Sequence, residues 1–202
     1  MKQSIVKLSR REGYALHPKA LKAMAKRTTL PGKAANYSSR NKPSQYSLQL
    51  REKQKVKRLY GLLEKQFANL MGEASKAAGQ SGQTLLKYLE QRLDNAVYRA
   101  GFAPSRPAAR QLVSHGHFML NGRRVDVPSI RLKVGDEVSI REHSSKNNYF
   151  QKLDEVSPGS ENSPSWLRVD RKKLSLKVVG EPTRDDAEPE IHEQLIVEYY
   201  SR

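Results

Sequence analysis

The stretch RLDNAVYRAGFAPSRPAARQLVSHGHFMLNGRRV, residues 92–125, decides the fold. Apolar residues recur within it and just before it at intervals of three or four. That spacing predicts one helix with a continuous apolar face, formed by Leu85, Leu89, Leu93, Ala96 and Ala100. Gly101 suits the left-handed turn that ends a helix, and Phe102 follows as the residue that packs behind it.

A second, shorter helix and a hairpin follow. Ser105 is a favourable N-cap, Pro107 fits a first helical turn, and Gly116 is placed to end the helix. Asn121-Gly122 lies between two short apolar or basic segments, which is the strongest short-range signal for a β-hairpin. The predicted order is therefore helix, helix, hairpin.

Further strands are predicted after the hairpin. Alternation predicts strands at 130–134 and 138–140, and a second pair at 166–169 and 174–179. Residues 147–156 suit a helix, 158–164 a linker and 181–190 an acidic loop. The spacing of Ile191, Leu195 and Tyr199 favours a closing helix, although a strand could fit LIVEYY at 195–200. The fold class is thus α+β, with a basic N-terminal arm, a helical domain, and a small helix-helix-hairpin module extended by short strands.

Before this module, residues 1–43 are basic and punctuated by proline, with a short helix expected near 18–24 and a loop at 33–44. From Ser44 onward, apolar spacing predicts one long helical stretch that continues through Leu70. The predicted organisation is a basic arm at 1–43 and a helical domain at 44–90, closed by a C-terminal tail at 180–202. The helix-helix-hairpin module occupies 91–153, and a linker with a strand pair occupies 154–179.

Charge is concentrated at the N-terminal end. Residues 1–60 hold 16 of the 37 Lys and Arg residues but only Glu12 and Glu52 among the 21 acids, a net +14. The remainder of the chain therefore contributes only +2 of the overall +16. A net charge of this sign favours a polyanionic partner, and the arm is expected to gain order on that partner.

The stretch 92–125 is itself basic, since six arginines face a single acid, Asp94. Arginine supplies a planar fork that matches phosphate oxygens, so this pattern points to folded RNA. A purely local role is the alternative: Arg92 pairs with Asp94 or Glu90, and Arg110 serves only to solvate its helix.

Several segments resemble one known family, the S-four family of small-subunit ribosomal proteins of the bacterial or organellar type. The likeness runs over nearly the whole chain and in order, through LSRREG at 8–13, QLREKQKVKRLYG at 49–61, RLDN at 92–95, SRPAAR at 105–110, QLVSHG at 111–116, NGR at 121–123 and HEQLIVEYYSR at 192–202. Many relatives carry an N-terminal cysteine cluster for zinc. This chain has no cysteine and resembles a cysteine-free variant of the family.

The resemblance implies a structural constituent of the small ribosomal subunit that binds small-subunit rRNA directly and nucleates assembly of the subunit body. It also implies a contribution to translational accuracy, contact with the fifth small-subunit ribosomal protein, and proximity to mRNA at the entry path. A cytoplasmic, ribosomal location follows from the same resemblance. Residues 1–30 lack the apolar core of a signal peptide, and no membrane-spanning run is present.

The basic pattern and the resemblance together define the candidate RNA-binding residues. They are Arg10, Arg11, Arg51, Lys53, Lys55, Lys57, Arg58, Arg92, Asn95, Arg99, Ser105, Arg106, Arg110, Gln111, Ser114, His115, Asn121, Arg123 and Arg124. Asn121 is expected to be a turn residue first. Arg106 and Arg110 are expected to bind RNA while contributing little to the stability of the fold.

Catalytic, metal and cofactor sites are not predicted. His192-Glu193 begins a zinc-protease motif, but position 196 is isoleucine, and His115 with His117 is a weak metal pair. An RNA-modifying enzyme would need a large catalytic domain, and the 50 residues after Lys152 are too few. A non-ribosomal RNA-binding protein or RNA chaperone is the remaining alternative, and the similarity at 49–61 and 192–202 argues against it.

Overall fold

A computed structural model describes residues 4–27, 29–32, 43–157 and 163–201. The chain divides into two units, one formed by the described parts of Met1–Gly82 and Glu190–Arg202 and the other by those of Gln83–Pro189. Helices and a small antiparallel sheet make up these units, which confirms the predicted α+β class.

The first unit is helical. Its helices are α1 (Ile5–Glu12), α2 (Pro18–Lys26), α3 (Gln45–Leu59), α4 (Glu64–Lys76) and α11 (Glu193–Tyr200), and α5 (Ser81–Glu90) begins at its end. The hydroxyl of Ser44 caps α3 by accepting a hydrogen bond from the backbone N–H of Ser47, at 3.2 Å. The helix α11 packs against α3, where Gln49 Nε2 donates to Glu198 Oε2 at 2.8 Å.

The single long helix predicted from Ser44 through Leu70 is wrong. Gly61 adopts a left-handed φ of 67°, and the backbone N–H of Leu62 donates to the carbonyl of Lys57 at 2.9 Å, so α3 ends there. The spacing of apolar residues continues past this turn, so the sequence pattern does not indicate where the helix ends. Two members of that series, Leu48 and Leu63, are exposed.

The N-terminal arm is more ordered than expected. The predicted short helix near 18–24 is confirmed as α2, and α1 precedes it. The carboxylate of Glu12, whose side chain is fully buried, receives Arg58 and also Arg51 at 3.3 Å, which holds α1 on α3. Residues 4–27 and 29–32 thus have helices and internal contacts, and the expected gain of order on a partner stays a prediction; most of the predicted loop at 33–44 lies outside the described residues.

The second unit combines helices with a sheet. Besides most of α5 it contains α6 (Leu93–Arg99), α7 (Arg106–Ser114), α8 (Glu142–Ser145), α9 (Asn148–Gln151), α10 (Leu153–Val156) and a short 3-10 helix at Arg184–Asp186. The strands are β1 (Phe118–Leu120), β2 (Arg123–Val125), β3 (Glu137–Ile140), β4 (Leu167–Asp170) and β5 (Ser175–Val178). Its core is built around buried Leu93, Phe102, Phe118, Trp166 and Leu176.

The helix predicted through Leu85 and Ala100 is two helices, since α5 ends at Glu90 and α6 begins at Leu93. Arg92 is the N-cap of α6, with extended backbone at φ −61° and ψ 139°. The first amides of α6 find acceptors outside the helix: Leu93 N donates to Ile130 O and Asp94 N to Pro128 O. All five apolar residues of the predicted face are nevertheless buried.

The same hydrogen bonds explain the missing strand at 130–134. That segment forms only an isolated bridge between Arg131 and Arg92, because its backbone satisfies the start of α6 and not a strand. The helix predicted at 147–156 is present as two single turns, α9 and α10. Residues 158–162 of the predicted linker lie outside the described residues.

The sheet is antiparallel with strand order β2-β1-β3-β5-β4. The predicted hairpin is confirmed: β1 pairs with β2, and Asn121 and Gly122 have φ of 49° and 79°. Ser105 caps α7, and Gly101 and Gly116 end α6 and α7 with φ of 73° and 69°, as predicted. The predicted strands at 138–140, 166–169 and 174–179 correspond to β3, β4 and β5.

Candidate nucleic-acid interface

A buried polar network joins α5, α6 and α7. Glu90, whose side chain has no solvent exposure, accepts a hydrogen bond from Asn95 Nδ2 at 2.7 Å. The guanidinium of Arg99 binds the same carboxylate through two N–H groups, at 3.0 and 2.8 Å. Each oxygen of Glu90 is therefore hydrogen-bonded, so Asn95 and Arg99 act first on the fold.

A second ion pair lies at the start of α6. Arg92 binds Asp94 through two hydrogen bonds of 3.0 and 2.8 Å, and both side chains are about 95% buried. This is the local pairing that the sequence left open. A guanidinium so enclosed presents little surface to a phosphate.

Arg106 is also part of the fold. Its Nε donates to Asn95 Oδ1 at 2.9 Å, its Nη2 donates to Glu188 at 3.0 Å, and the guanidinium lies 4.7 Å from the Tyr98 ring centre. These contacts argue against the expectation that Arg106 contributes little to stability, which stays to be measured. Its partner Glu188 is 82 residues away in sequence, so no local pattern indicates the pair.

The outward side of α7 is different. Arg110 and Ser114 lie one turn apart, as do Gln111 and His115, so these four side chains share one side of the helix. Arg110 keeps 37% of its side chain exposed beside Asp94 at 3.7 Å, and the other three residues are exposed. Ala109 and Val113, on the opposite side, are buried in the core.

Arg124 extends this surface because Gly116 has no side chain to occupy the space beneath its guanidinium group. A Cβ atom at Gly116 would lie 2.7 Å from Arg124 Nε and 2.8 Å from its Nη2, so the guanidinium lies directly over the end of α7. We name the surface formed by Arg110, Gln111, Ser114, His115 and Arg124 the α7–hairpin face. Arg123 is exposed too, but alternation along β2 directs it to the other side of the strand.

Two further candidates have structural roles. Ser105 is buried, and its hydroxyl caps α7 by accepting from Ala108 N at 3.4 Å. Asn121 donates to Asp136 at 2.8 Å and accepts from the backbone of Glu137 at 2.9 Å, which fixes the hairpin. Neither contact prevents the backbone near these residues from approaching RNA.

The cations of α3 are paired inside the first unit. Lys53 and Lys57 bind Glu64 at 2.6 and 2.8 Å, and Lys55 binds Glu52 at 2.9 Å and the carbonyl of Glu190 at 2.7 Å. Arg51 and Arg58 hold Glu12. In the arm, Arg10 donates to the carbonyl of Thr29 at 2.7 Å, and Arg11 is exposed.

Lys53 and Lys57 change the pKa of their partner Glu64. Although partial burial acts in the opposite direction, hydrogen bonds and charges from Lys53 and Lys57 lower the pKa of Glu64 to about 2. Burial raises the pKa of Glu12, against the opposing charges of Arg51 and Arg58. Burial, with the charges of His115 and Arg141, lowers the pKa of His117.

Sequence reasoning missed the acidic partners and one arginine. Glu188 and Glu64 were not expected to neutralise distant cations, and nothing in their local sequence indicates it. Arg131 was not a candidate either, yet its guanidinium lies 4.5 Å from the ring centre of Tyr88, beside a cavity of about 520 Å³ also lined by Lys133.

Metal-ligand clusters and membrane-spanning helices are absent from the part of the chain that the structure describes. There, no three His, Cys, Asp or Glu side chains group as a metal site would require. His117 Nδ1 instead lies 3.0 Å from Ser144 Oγ. No described helix combines the length and the apolar character needed to cross a membrane.

Comparison with known proteins places these features in a family. Residues 1–90 match the family described as the ribosomal protein S4/S9 N-terminal domain, and residues 91–138 match the S4 domain. The chain is 49% identical to the small ribosomal subunit protein uS4 of Clostridioides difficile, over 96% of this chain and 94% of that protein. It is 47% identical to the uS4 protein of Chloroflexus aurantiacus, over 97% and 96% of the two chains. The chain belongs to the uS4 family of ribosomal proteins.

Proposed function

We propose that this chain is a structural, non-enzymatic constituent of the small ribosomal subunit that binds small-subunit rRNA directly. The proposal rests on the α7–hairpin face of this chain together with its membership of the uS4 family. Arg110, with 37% of its side chain exposed, and the exposed Arg124 lie there beside the polar side chains of Gln111, Ser114 and His115.

The geometry suits an RNA backbone. Arg124 lies over Gly116 at the end of α7, so its guanidinium group is beside the other side chains of the face. Arginine forks bind phosphate oxygens in pairs, and the amide, hydroxyl and imidazole groups nearby can reach 2′-hydroxyls or unstacked bases. The buried network beneath, built on Glu90 and Asp94, keeps α6 and α7 rigid under that face.

The buried arginines therefore support the site, and the exposed ones are proposed to form it. Acidic side chains of the second unit form ion pairs with Arg92, Arg99 and Arg106. The cations of α3 do the same within the first unit. Arg11 and Arg123, both exposed, extend the proposed contact set beyond the α7–hairpin face.

Finer roles are proposed from the family resemblance. They are early binding that nucleates assembly of the subunit body, a contribution to translational accuracy, contact with the fifth small-subunit protein, and proximity to mRNA. A cytoplasmic location on the ribosome belongs to the same proposal.

Filter binding to small-subunit rRNA at increasing salt tests the central proposal. Neutralising about 8–10 phosphates gives a slope of log K against log salt of roughly −6 to −9. Replacing both Arg110 and Arg124 with alanine should reduce the magnitude of this slope by about 1–2. The control replaces Lys146 and Lys152, which are exposed elsewhere in the second unit.

A wild-type slope near −2, or equal effects of the two double variants, would contradict the proposal. Sedimentation of a cell extract through a sucrose gradient separates the alternative. A ribosomal protein sediments with the small subunit, whereas an RNA chaperone remains largely in the light fractions.

A further inference from the structure

The strand pair β4–β5 carries its own set of cations. Arg168 lies on β4, Lys177 on β5, and Lys172 and Lys173 in the turn between them; all four are exposed. None of the four forms an ion pair with any residue that the structure describes. We name these four residues the β4–β5 basic patch.

The register of the strands places like charges together. Arg168 lies directly opposite Lys177 in the antiparallel pair, so their Cβ atoms are about 4.5–5.5 Å apart. Like charges opposed in this way destabilise a strand pair. An anion lying across both side chains would reverse the sign of that interaction.

The acids nearby leave the patch positive. Asp170 accepts a hydrogen bond from the backbone of Lys173 at 3.0 Å, which makes it part of the turn. Glu137 is opposite Lys177 on the β3 side, and it is the one carboxylate that faces the patch across the sheet register. Asp154 is held by Arg171 at 2.8 Å. Asp170 lies on the same side of β4 as Arg168, so the four cations face two carboxylates, Asp170 and Glu137.

The patch is separate from the α7–hairpin face. The strand order places β2 at one edge of the sheet and β4 at the other, four strand spacings away, or about 19 Å. It also lies beyond residue 138, where the S4 domain match ends. The apolar side chains of the same strands, Leu167, Leu176 and Val178, are buried, so alternation directs the cations away from the core.

We infer that the β4–β5 basic patch is a second RNA-binding surface, which contacts phosphates of the same rRNA at a point distinct from the α7–hairpin face. Three of its four cations are lysines, which bind phosphate as point charges without reading base sequence. The inference rests on the proposed function, because a chain that binds rRNA through one edge of this unit brings further phosphates close to the other.

The first test removes the charge. The variant replaces Arg168, Lys172, Lys173 and Lys177 with glutamine, and the control replaces the exposed Lys65, Lys76, Lys146 and Lys152. Both are full-length chains that lose four charges. In binding to small-subunit rRNA, the patch variant should reduce the magnitude of the salt slope by about 2–3, and the control by less than about 1. The melting temperature of the patch variant should change little, because the variant removes both the repulsion between Arg168 and Lys177 and the attraction between Glu137 and Lys177.

The second test locates the RNA directly. Because the chain has no cysteine, Lys172→Cys creates a single attachment point for a tethered iron chelate that cleaves nearby RNA. In the complex with small-subunit rRNA, cleavage should occur at a discrete segment, and the cysteine-free wild type treated in the same way should give none.

The outcomes are distinct. If the wild type binds rRNA with a steep salt slope but the patch variant matches its control and the tether cuts nothing, this inference is wrong and the proposed function stands. A patch that serves an acidic protein would give that result. If the wild type does not bind small-subunit rRNA, the proposed function fails and the inference fails with it.

Discussion

Arg106 and Arg110 lie one turn apart on α7, yet their surroundings differ. Arg106 is 9% exposed and bound to Asn95 and Glu188, whereas Arg110 is 37% exposed. Arg106→Ala leaves the buried Asn95 Oδ1 without this donor and Glu188 with Arg99 at 3.6 Å, so it should lower the free energy of unfolding by about 1–3 kcal/mol. Arg110→Ala should cost about 0.5 kcal/mol or less while weakening RNA binding.

Urea unfolding of the two single variants measures the difference directly. Equal stability of both variants would show that the contacts of Arg106 add nothing to the fold. Arg123→Ala, at an exposed position on β2, serves as the neutral reference.

Glu64 gives the first unit an acid-sensitive contact. Its pKa is about 2 in the fold, below the usual 4.5, because Lys53 and Lys57 stabilise the carboxylate. A carboxyl group with a depressed pKa contributes its stability in full above pH 4.5 and loses it as the pH falls towards 2. The melting temperature of wild type should therefore exceed that of Glu64→Gln at pH 6, and the difference should shrink between pH 4.5 and 2.

Thermal unfolding at several pH values measures this difference. Lys57→Gln removes one of the two partners and should reduce the pH-dependent part without abolishing it. If the difference in melting temperature between wild type and Glu64→Gln stays constant from pH 6 to 2, the ion pairs of Glu64 are not its source.

At the scale of elements, local signals were sufficient for caps, turns and all the strands except the one predicted at 130–134. Ser105, Gly101, Gly116 and Asn121-Gly122 each have the conformation that their type predicts. The two errors in the long helices share one physical cause. Periodicity reports which side of a chain is buried, and that side stays buried across the break at Arg92 and the turn at Gly61.

The docking of α1 is an element-scale consequence of one carboxylate. Glu12 lies fully buried between Arg51 and Arg58 of α3, 39 and 46 residues along the chain. Glu12→Ala leaves both guanidinium groups without this partner, so α1 should detach while α3 stays folded. Amide hydrogen exchange of the free protein should show protection of α1 in wild type, reduced at least about tenfold in the variant.

Glu142→Ala, which removes an exposed carboxylate in the second unit, is the matched control and should change nothing in α1. Fast exchange of α1 already in the free wild type would mean that the helix docks only with a partner present, as the charge of the arm first suggested.

For the whole molecule, the sequence predicted the family correctly, and the comparisons confirm it. The similarity was recognisable because it spans four separate regions in order. The candidate site could be predicted only as a set of basic residues. Which arginines are exposed depends on acids far away in sequence, such as Glu188 for Arg106, and no local pattern indicates such pairs.

Metal independence is a prediction for the whole chain. It has no cysteine, and tetrahedral zinc sites in structural proteins depend on cysteine and histidine ligands. Treatment of the purified protein with a chelator should leave both the melting temperature and rRNA affinity unchanged. Stoichiometric zinc in elemental analysis of the purified protein would refute this.

The close approach of Arg124 to Gly116 has a consequence for how variation in this chain is interpreted. Alanine at 116 would demand a left-handed backbone from a residue with a side chain and would displace the guanidinium above it. Such a substitution keeps the isoelectric point of the protein and every ionisable group. A substitution that carries no charge would therefore move an arginine side chain, and surveys that follow only charged positions would pass over it.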